Sequence, residues 1–136
     1  MEHIEIAESK KRLTIKNASI DGATFNCVSL AGSTFTDVNM SNIKITDANI
    51  TGLEIEGAQL GGAYIHNIGM PPEGHPMYDP NVKQRPLKFE DCNFGGTTIT
   101  DCNLTGVEIA NCNLTGMKIN GILVEDLLSE YAKQAK

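Results

Sequence analysis

The chain has 136 residues and a formal net charge of -6, which suits one domain with a core of its own. It has no Trp and only 5% aromatic residues, so any core must be aliphatic. The acidic balance argues against binding to nucleic acid or an anionic membrane, because phosphate-rich surfaces attract basic patches. No apolar run reaches the roughly 18 residues that span a bilayer, and the first residues do not resemble a signal peptide. We therefore expect a soluble, cytoplasmic protein.

Large apolar residues recur every five residues through most of the chain, and we call them the repeat centres. They are Ile15, Ile20, Phe25, Leu30, Phe35, Met40, Ile45, Ile50, Ile55, Leu60, Ile65 and Met70, then Phe89, Phe94, Ile99, Leu104, Ile109, Leu114, Ile119 and Val124. A chain that is 40% hydrophobic does not place 20 such residues in register by chance. A helix turns every 3.6 residues and a strand alternates every 2, so the period fits neither.

The positions around each repeat centre are equally regular. Two residues before the centre the side chain is apolar, except at Ser33 and Thr97. Two residues after it, 17 of the 18 positions from Asn17 to Asn67 and from Asp91 to Gly121 hold Gly, Asn or Asp, and Cys27 is the exception. Alternate residues of an extended chain point the same way, and Gly, Asn and Asp tolerate turns. Each repeat therefore predicts one side of a polygon, with two inward side chains followed by a corner.

Repeats such as Ala48–Gly52 and Cys112–Gly116 resemble those of the pentapeptide-repeat family, whose motif is approximately A(D/N)LXX. The resemblance covers residues 13–70 and 87–124 and implies an all-β solenoid, a right-handed quadrilateral β-helix. With four repeats per coil, the 20 repeats make about five coils in a single domain over residues 1–136. A strand spacing of about 4.8 Å would make the tube roughly 24 Å long. Each large apolar side chain buried inside it would contribute about 1.5–3 kcal/mol.

The register breaks once, at a proline-rich segment over residues 71–86. Met70 and Phe89 are 19 residues apart, 14 more than one step, and all five prolines of the chain lie between them. Proline cannot donate to a ladder, so the segment predicts a loop that leaves one corner between the third and fourth coils.

A loop of this length without internal structure is either a tolerated insertion or a functional element. The functional alternative is a contact with a partner protein, because proline lowers the ordering cost of binding and Arg and Tyr favour interfaces. The candidate binding residues are His75, Tyr78, Asp79, Lys83 and Arg85.

The C-terminal segment predicts a short amphipathic helix over about 122–134, with apolar residues at helical spacing. Solenoids need capped ends, so the helix is expected to cover the last coil. The alternative is a homodimer contact, since some members of the resembled family pair through their C-terminal ends. The candidate residues for either role are Leu123, Leu127, Leu128 and Tyr131.

The four cysteines follow the repeat positions. Cys92, Cys102 and Cys112 fall at inward positions, where Cys serves as a small apolar residue, and Cys27 is predicted to point outward. Cys92 and Cys112 are 20 residues apart, so they would stack on adjacent coils, within reach of a disulfide that the fold does not need. No spacing is CxxC, and no metal site is predicted from the cysteines.

The sequence offers no motif for catalysis or for a cofactor. It has no glycine-rich phosphate loop, nucleophile elbow or catalytic triad placed by motif, and a tube filled with aliphatic side chains has no interior pocket. His66, His75 and Asp79 near the loop lack the fixed spacing of a metal site. We therefore expect a non-enzymatic protein-binding scaffold without metal or cofactor, whose partner the sequence does not identify.

The alternative function is an acidic mimic of DNA. Better-known members of the resembled family bind DNA gyrase, a type II topoisomerase, and modulate it or protect it from quinolones. The repeats here carry a net charge of -3 over residues 13–70 and -2 over residues 87–124. B-DNA of the same length would carry about 14 charges, so mimicry ranks second. Direct binding to nucleic acid or a membrane is not expected, and a homodimer stays open.

Overall fold

A computed structural model describes residues 4–135 of the chain. Within that range it contains the strands β1 (Lys118–Ile119) and β2 (Ile122–Leu123) and the helix α1 (Val124–Gln134). The two strands pair antiparallel, with Lys118 opposite Leu123. The chain divides into two units, Met1–Gly62 and Ala63–Lys136. The inserted loop and α1 therefore both belong to the second unit.

Every predicted corner of the repeats has a left-handed backbone. All 18 residues two positions after a repeat centre, from Asn17 to Asn67 and from Asp91 to Gly121, have φ between 52° and 81°. Cys27, the exception to the sequence pattern, adopts φ 53° like its Asn and Asp counterparts. The five-residue spacing of turns that the sequence predicts is therefore confirmed in the backbone.

The corners are of two kinds, which alternate along the chain every ten residues. Eight are tight turns, and at seven of them the carbonyl of the repeat centre accepts a hydrogen bond from the N–H three residues later, as from Val107 to Leu104 at 3.1 Å. Nine others are open bends, and the last of the 18, Gly121, lies in the turn between β1 and β2. The tight turns hold Gly at seven of eight positions with φ of 73° to 80°, whereas the bends hold mostly Asn and Asp with φ of 52° to 56°. A turn that needs φ near +80° selects Gly, and Asn and Asp suit the αL region near +57°.

Side chains inside the repeats stabilise the tight turns. In five of the eight, the residue before the repeat centre is an Asn whose Oδ1 accepts a hydrogen bond from the N–H two residues later, as at Asn103 to Thr105 (3.0 Å) and Asn113 to Thr115 (3.1 Å). The thiols of Cys102 and Cys112 each donate to the carbonyl two residues earlier at 3.2 Å. The Cys, Asn and Gly of the recurring Cys-Asn-Leu-Thr-Gly repeat thus each have a side-chain bond or a backbone angle that accounts for the residue type.

The adjacent glycines at one tight turn allow a test of the left-handed corner. Gly62 has φ +75° and Gly61 does not have a positive φ, and a Cβ on either would meet nothing within 4 Å. We expect Gly62→Ala to lower the free energy of unfolding by about 1–2 kcal/mol, the cost of a left-handed L-residue. Gly61→Ala should leave it unchanged or raise it by about 0.4–1 kcal/mol, because alanine restricts the unfolded chain. The free energies of unfolding are measured by urea denaturation. If the two substitutions changed them equally, the assignment of the left-handed corner to Gly62 and not to Gly61 would be contradicted.

The side chains predicted to fill the interior are exposed in the structure. Leu104 is 54% exposed, and Val124 is the one buried hydrophobic residue within the described range. Tight turns need bonds only between neighbours in sequence. An apolar interior also needs ladder bonds between successive coils, and the ladder that residues 4–135 contain joins β1 to β2 alone. The inward burial expected for Cys92, Cys102 and Cys112 is absent for the same reason, and all four thiols are exposed.

Candidate protein-binding surfaces

The inserted loop is built from three consecutive tight turns. The N–H of His75 donates to the carbonyl of Pro72 at 3.0 Å, that of Tyr78 to His75 at 2.9 Å, and that of Val82 to Asp79 at 3.2 Å. A loop with this many internal bonds has a defined backbone path, which the sequence pattern alone did not predict.

The prolines and one glycine of the loop stand where these turns require them. Pro76 and Pro80 occupy the second position of the second and third turns, where the fixed φ of proline is already correct. Gly74, at the third position of the first turn, has φ +89°, which an L-residue reaches only at a cost. The loop is therefore largely ordered before it meets any partner.

Two of the predicted binding residues stabilise the loop itself. The Nδ1 atom of His75 accepts a hydrogen bond from the N–H of Met77 at 3.1 Å. The Oδ1 atom of Asp79 accepts from both the N–H and the side-chain amide of Asn81, at 2.9 and 3.1 Å. These bonds hold the second and third turns, so His75 and Asp79 have a structural role within the loop.

The other predicted binding residues are exposed in the loop, as are two apolar neighbours, and we call this set the loop patch: Met77, Tyr78, Val82, Lys83 and Arg85. Met77 is 73% exposed and Tyr78 is 42% exposed. The two cations form no ion pair with any residue in the described part of the chain. Met77 and Val82 were not predicted from the sequence. They could have been found because they are apolar residues in a segment that belongs to no repeat.

The start of α1 is fixed to the last repeat. Val124 is buried, and its N–H donates to the carbonyl of Met117 at 3.0 Å. The carboxylate of Glu125 accepts a hydrogen bond from the N–H of Gly116 at 3.2 Å. The helix begins two residues later than the predicted bound of about 122, because Ile122 and Leu123 pair with β1.

The rest of α1 presents an uncovered apolar surface, which we call the α1 stripe: Leu127, Leu128 and Tyr131. Their exposed fractions are 43%, 54% and 74%. Leu123, the fourth predicted residue of this group, is half-buried. Asp126 and Glu130 lie four residues apart on one flank of the stripe. The roles of these residues as a cap or a dimer contact stay predictions.

Most charged residues of the repeats lie in repeats that end in a bend. Of the 13 charged residues in the repeats over 13–70 and 87–121, only Asp21 belongs to a repeat that ends in a tight turn. Lys88 pairs with Glu90 at 2.5 Å, and the hydrogen bond from Lys88 to this carboxylate raises the pKa of the lysine. Both partners are exposed, so the pair adds little to stability.

Neither a metal site nor a membrane span is seen in the described structure. Residues 4–135 contain no group of three or more His, Cys, Asp or Glu side chains placed to hold a metal ion. Within the same range, no helix has the length and apolarity needed to cross a bilayer.

A family model described as Pentapeptide repeats matches the sequence in eight copies, over residues 16–52 and 88–122, which is more than half of the chain. The matched segments exclude the loop patch and all of α1. The comparisons with curated proteins and with solved structures found no significant match.

Proposed function

Because the chain belongs to the pentapeptide-repeat family, we propose that it is a non-enzymatic scaffold that binds a partner protein through the loop over residues 71–86. Repeats of this family generally form a right-handed β-helix. We propose the four-sided form for this chain, with about five coils, acting in the cytoplasm. The 20 apolar repeat centres and the 18 left-handed corners support this fold, and the four free thiols suit a reducing compartment.

The position of the loop supports a closed fold with an undisturbed register. Asn67, before the loop, and Asp91, after it, are both bends. Because tight turns and bends alternate, the corner after Met70 is due to be a tight turn, and the loop stands in its place. The 14 additional residues therefore leave the tube at one corner and return to it without changing which side chains point inward.

The exposed loop patch on a pre-ordered backbone is the observation on which this function depends. Three turns hold residues 72–82, so for the part of the loop that carries Met77, Tyr78 and Val82, binding a partner would cost less conformational entropy than ordering a free segment. Tyr and Arg are the residue types most enriched at energetic centres of interfaces, and the patch contains one of each.

The test is a pull-down from native lysate that compares the intact protein with a loop-exchange variant. In that variant residues 71–86 are replaced by Thr-Gly, the pair that forms the tight turns at Thr51–Gly52 and Thr105–Gly106. This exchange restores the alternation of corners, so both proteins should give the same β-rich circular dichroism. We expect the intact protein to retain a partner that the variant loses.

A matched pair of point variants separates recognition from loop structure. Tyr78→Ala should weaken retention of the partner at least about tenfold, as at an interface centre. Asn81→Ala removes a side chain that bonds Asp79 within the loop but leaves the loop patch intact, so retention should stay within about threefold. Retention of the same partner by the loop-exchange variant would contradict a loop-centred function and assign binding to a face of the repeats.

DNA mimicry remains the alternative, and the arrangement of charge does not favour it. A mimic needs anionic groups spaced evenly along its length, as phosphates are. Here uncharged repeats separate the charged ones at uneven intervals, and lysines are interspersed among the acids. Capture of a type II topoisomerase by both the intact and the loop-exchange proteins, with binding that weakens steeply in salt, would reverse this order.

A further inference from the structure

Three cysteines of the second unit occupy the same place in its three tight-turn repeats. Cys92, Cys102 and Cys112 each stand two residues before a repeat centre. Their Sγ atoms donate the same hydrogen bond, to the carbonyl two residues earlier at 3.2 Å, and all three are free thiols. The tight-turn repeats of the first unit hold only Ala or Val at this position. The repeat itself therefore does not require a thiol.

The register of the repeats makes two of these cysteines neighbours and sets the third apart, given the four-sided fold proposed above. Repeats ten residues apart lie on opposite sides of a coil, and repeats 20 residues apart lie on the same side of successive coils. Cys92 and Cys112 are 20 residues apart, so they stack in one column, about 4.8 Å from each other. Cys102 lies on the opposite side. All three follow the inserted loop, which therefore does not alter their spacing.

We propose that Cys92 and Cys112 form a reversible disulfide when the protein meets a peroxide, and that this bond joins the fourth coil to the fifth. Hydrogen peroxide oxidises one thiol to a sulfenic acid and releases one water. The other thiol then attacks the sulfenic sulfur and displaces a second water, which leaves the S–S bond. The two sulfurs lose two electrons to the peroxide, and both thiol protons leave in the waters. The proposal rests on the four-sided fold and not on the identity of a partner.

The geometry fits a bond that forms and is readily reduced. A disulfide joins Cα atoms about 4.4–6.8 Å apart, which one coil step satisfies, and it brings the Cβ atoms to about 3.5–4.5 Å. In stacked strands both Cβ atoms point the same way, so they too lie about 4.8 Å apart. Closing that small gap strains the bond, and strained disulfides are the labile ones. Each thiol gives up only a weak S–H hydrogen bond, to the carbonyl of Glu90 or Ala110.

The test treats the purified full chain with hydrogen peroxide, alkylates the remaining thiols and maps linked peptides by mass spectrometry. Cleavage after Asp101 and Glu108 places the three cysteines on separate peptides. We expect a monomer lighter by two hydrogen atoms, in which Cys92 is linked to Cys112 and Cys102 is alkylated. Reduced glutathione should restore both thiols.

Thermal unfolding followed by circular dichroism gives a second measurement. The link closes a segment of about 20 residues, so the oxidised protein should unfold at least about 5 °C above the reduced protein. Cys102→Ala is the matched control and should keep both the link and the shift, because Cys102 has the same local bonds but lies on the opposite side. Cys112→Ala should lose both.

A link from Cys102 to either of the other two cysteines would overturn the proposal. An open chain favours that link, because the segment it closes is half as long and shorter loops close at a lower entropic cost. A β-rich protein that forms no internal link, or a link that glutathione leaves intact, would also overturn it. The pull-down uses reduced protein and the circular dichroism of reduced protein tests the tube, so failure of the disulfide is distinguishable from failure of the proposed function or fold.

Discussion

Leu104→Asp is expected to abolish folding of the repeats. In a closed coil the side chain of Leu104 lies inside the tube, where a leucine contributes about 1.5–3 kcal/mol by burial. The aspartate loses that contribution and adds an unpaired buried charge, with a penalty of several kcal/mol. Together these exceed the stability margin of most small domains once neighbouring coils are disturbed. The measurement is circular dichroism with thermal unfolding, and we expect loss of both the β signal and the cooperative transition.

The same substitution distinguishes a closed tube from an open path of independent turns. The tight turn at Leu104 depends on its backbone carbonyl, which accepts from Val107 at 3.1 Å, and this bond does not need a leucine side chain. If the side chain stayed exposed, as in the described structure, Leu104→Asp would change stability by less than about 0.5 kcal/mol. Thr105→Asp, at the next residue, is the matched control and should fold normally, because that side chain points outward in either case.

Val124→Asp is expected to melt α1. Val124 is the buried residue that joins the helix to the last repeat, and its N–H bonds to Met117. A helix of 11 residues is shorter than the roughly 12–15 residues at which an isolated helix becomes marginal in water. Its persistence therefore depends on this attachment, and a buried carboxylate would break it. The expected result is loss of the helical band at 222 nm in the circular dichroism spectrum.

Ser129→Asp gives the control for this prediction, because Ser129 is exposed on the same helix. It introduces the same carboxylate and should leave the helical band within error of the intact protein. A helical band that survives in the Val124→Asp variant would show that α1 is stable without the last repeat, and it would remove the basis for treating the helix as part of the solenoid.

The corners of the fold could be predicted from the sequence because each corner depends on one residue type at one spacing. Gly, Asn and Asp at every fifth position were sufficient to predict the corners. Cys27, which stands at one of these positions, has the same backbone conformation as Asp37 and Asn17. Burial of the repeat centres could not be predicted as reliably as the corners. Burial requires bonds between residues about one coil apart, and no local signal in the sequence encodes that closure.

The two kinds of corner were missed, although their signal was present. Treating Gly, Asn and Asp as equivalent hid the fact that Gly106 has φ +73° and Asp101 has φ +55°. Asn103 bonds its turn through Oδ1, a role that the spacing of the repeat centres does not predict. In the loop, the structural roles of His75 and Asp79 depend on turn types set by Pro76 and Pro80. A turn-by-turn examination of residues 71–86 would have identified them.

The replacement of a tight turn by the loop also has a consequence for how such a chain can change. In the proposed tube, an insertion at this kind of corner lengthens the protein without shifting the register of the repeat centres, so its cost is limited to the loop. Equivalent corners at Thr51–Gly52 and Thr105–Gly106 fall on the same edge of the proposed tube. The proposed tube thus has several equivalent corners, and this protein carries a loop at one of them. Binding segments can be gained, lost or exchanged at such corners independently of the repeats.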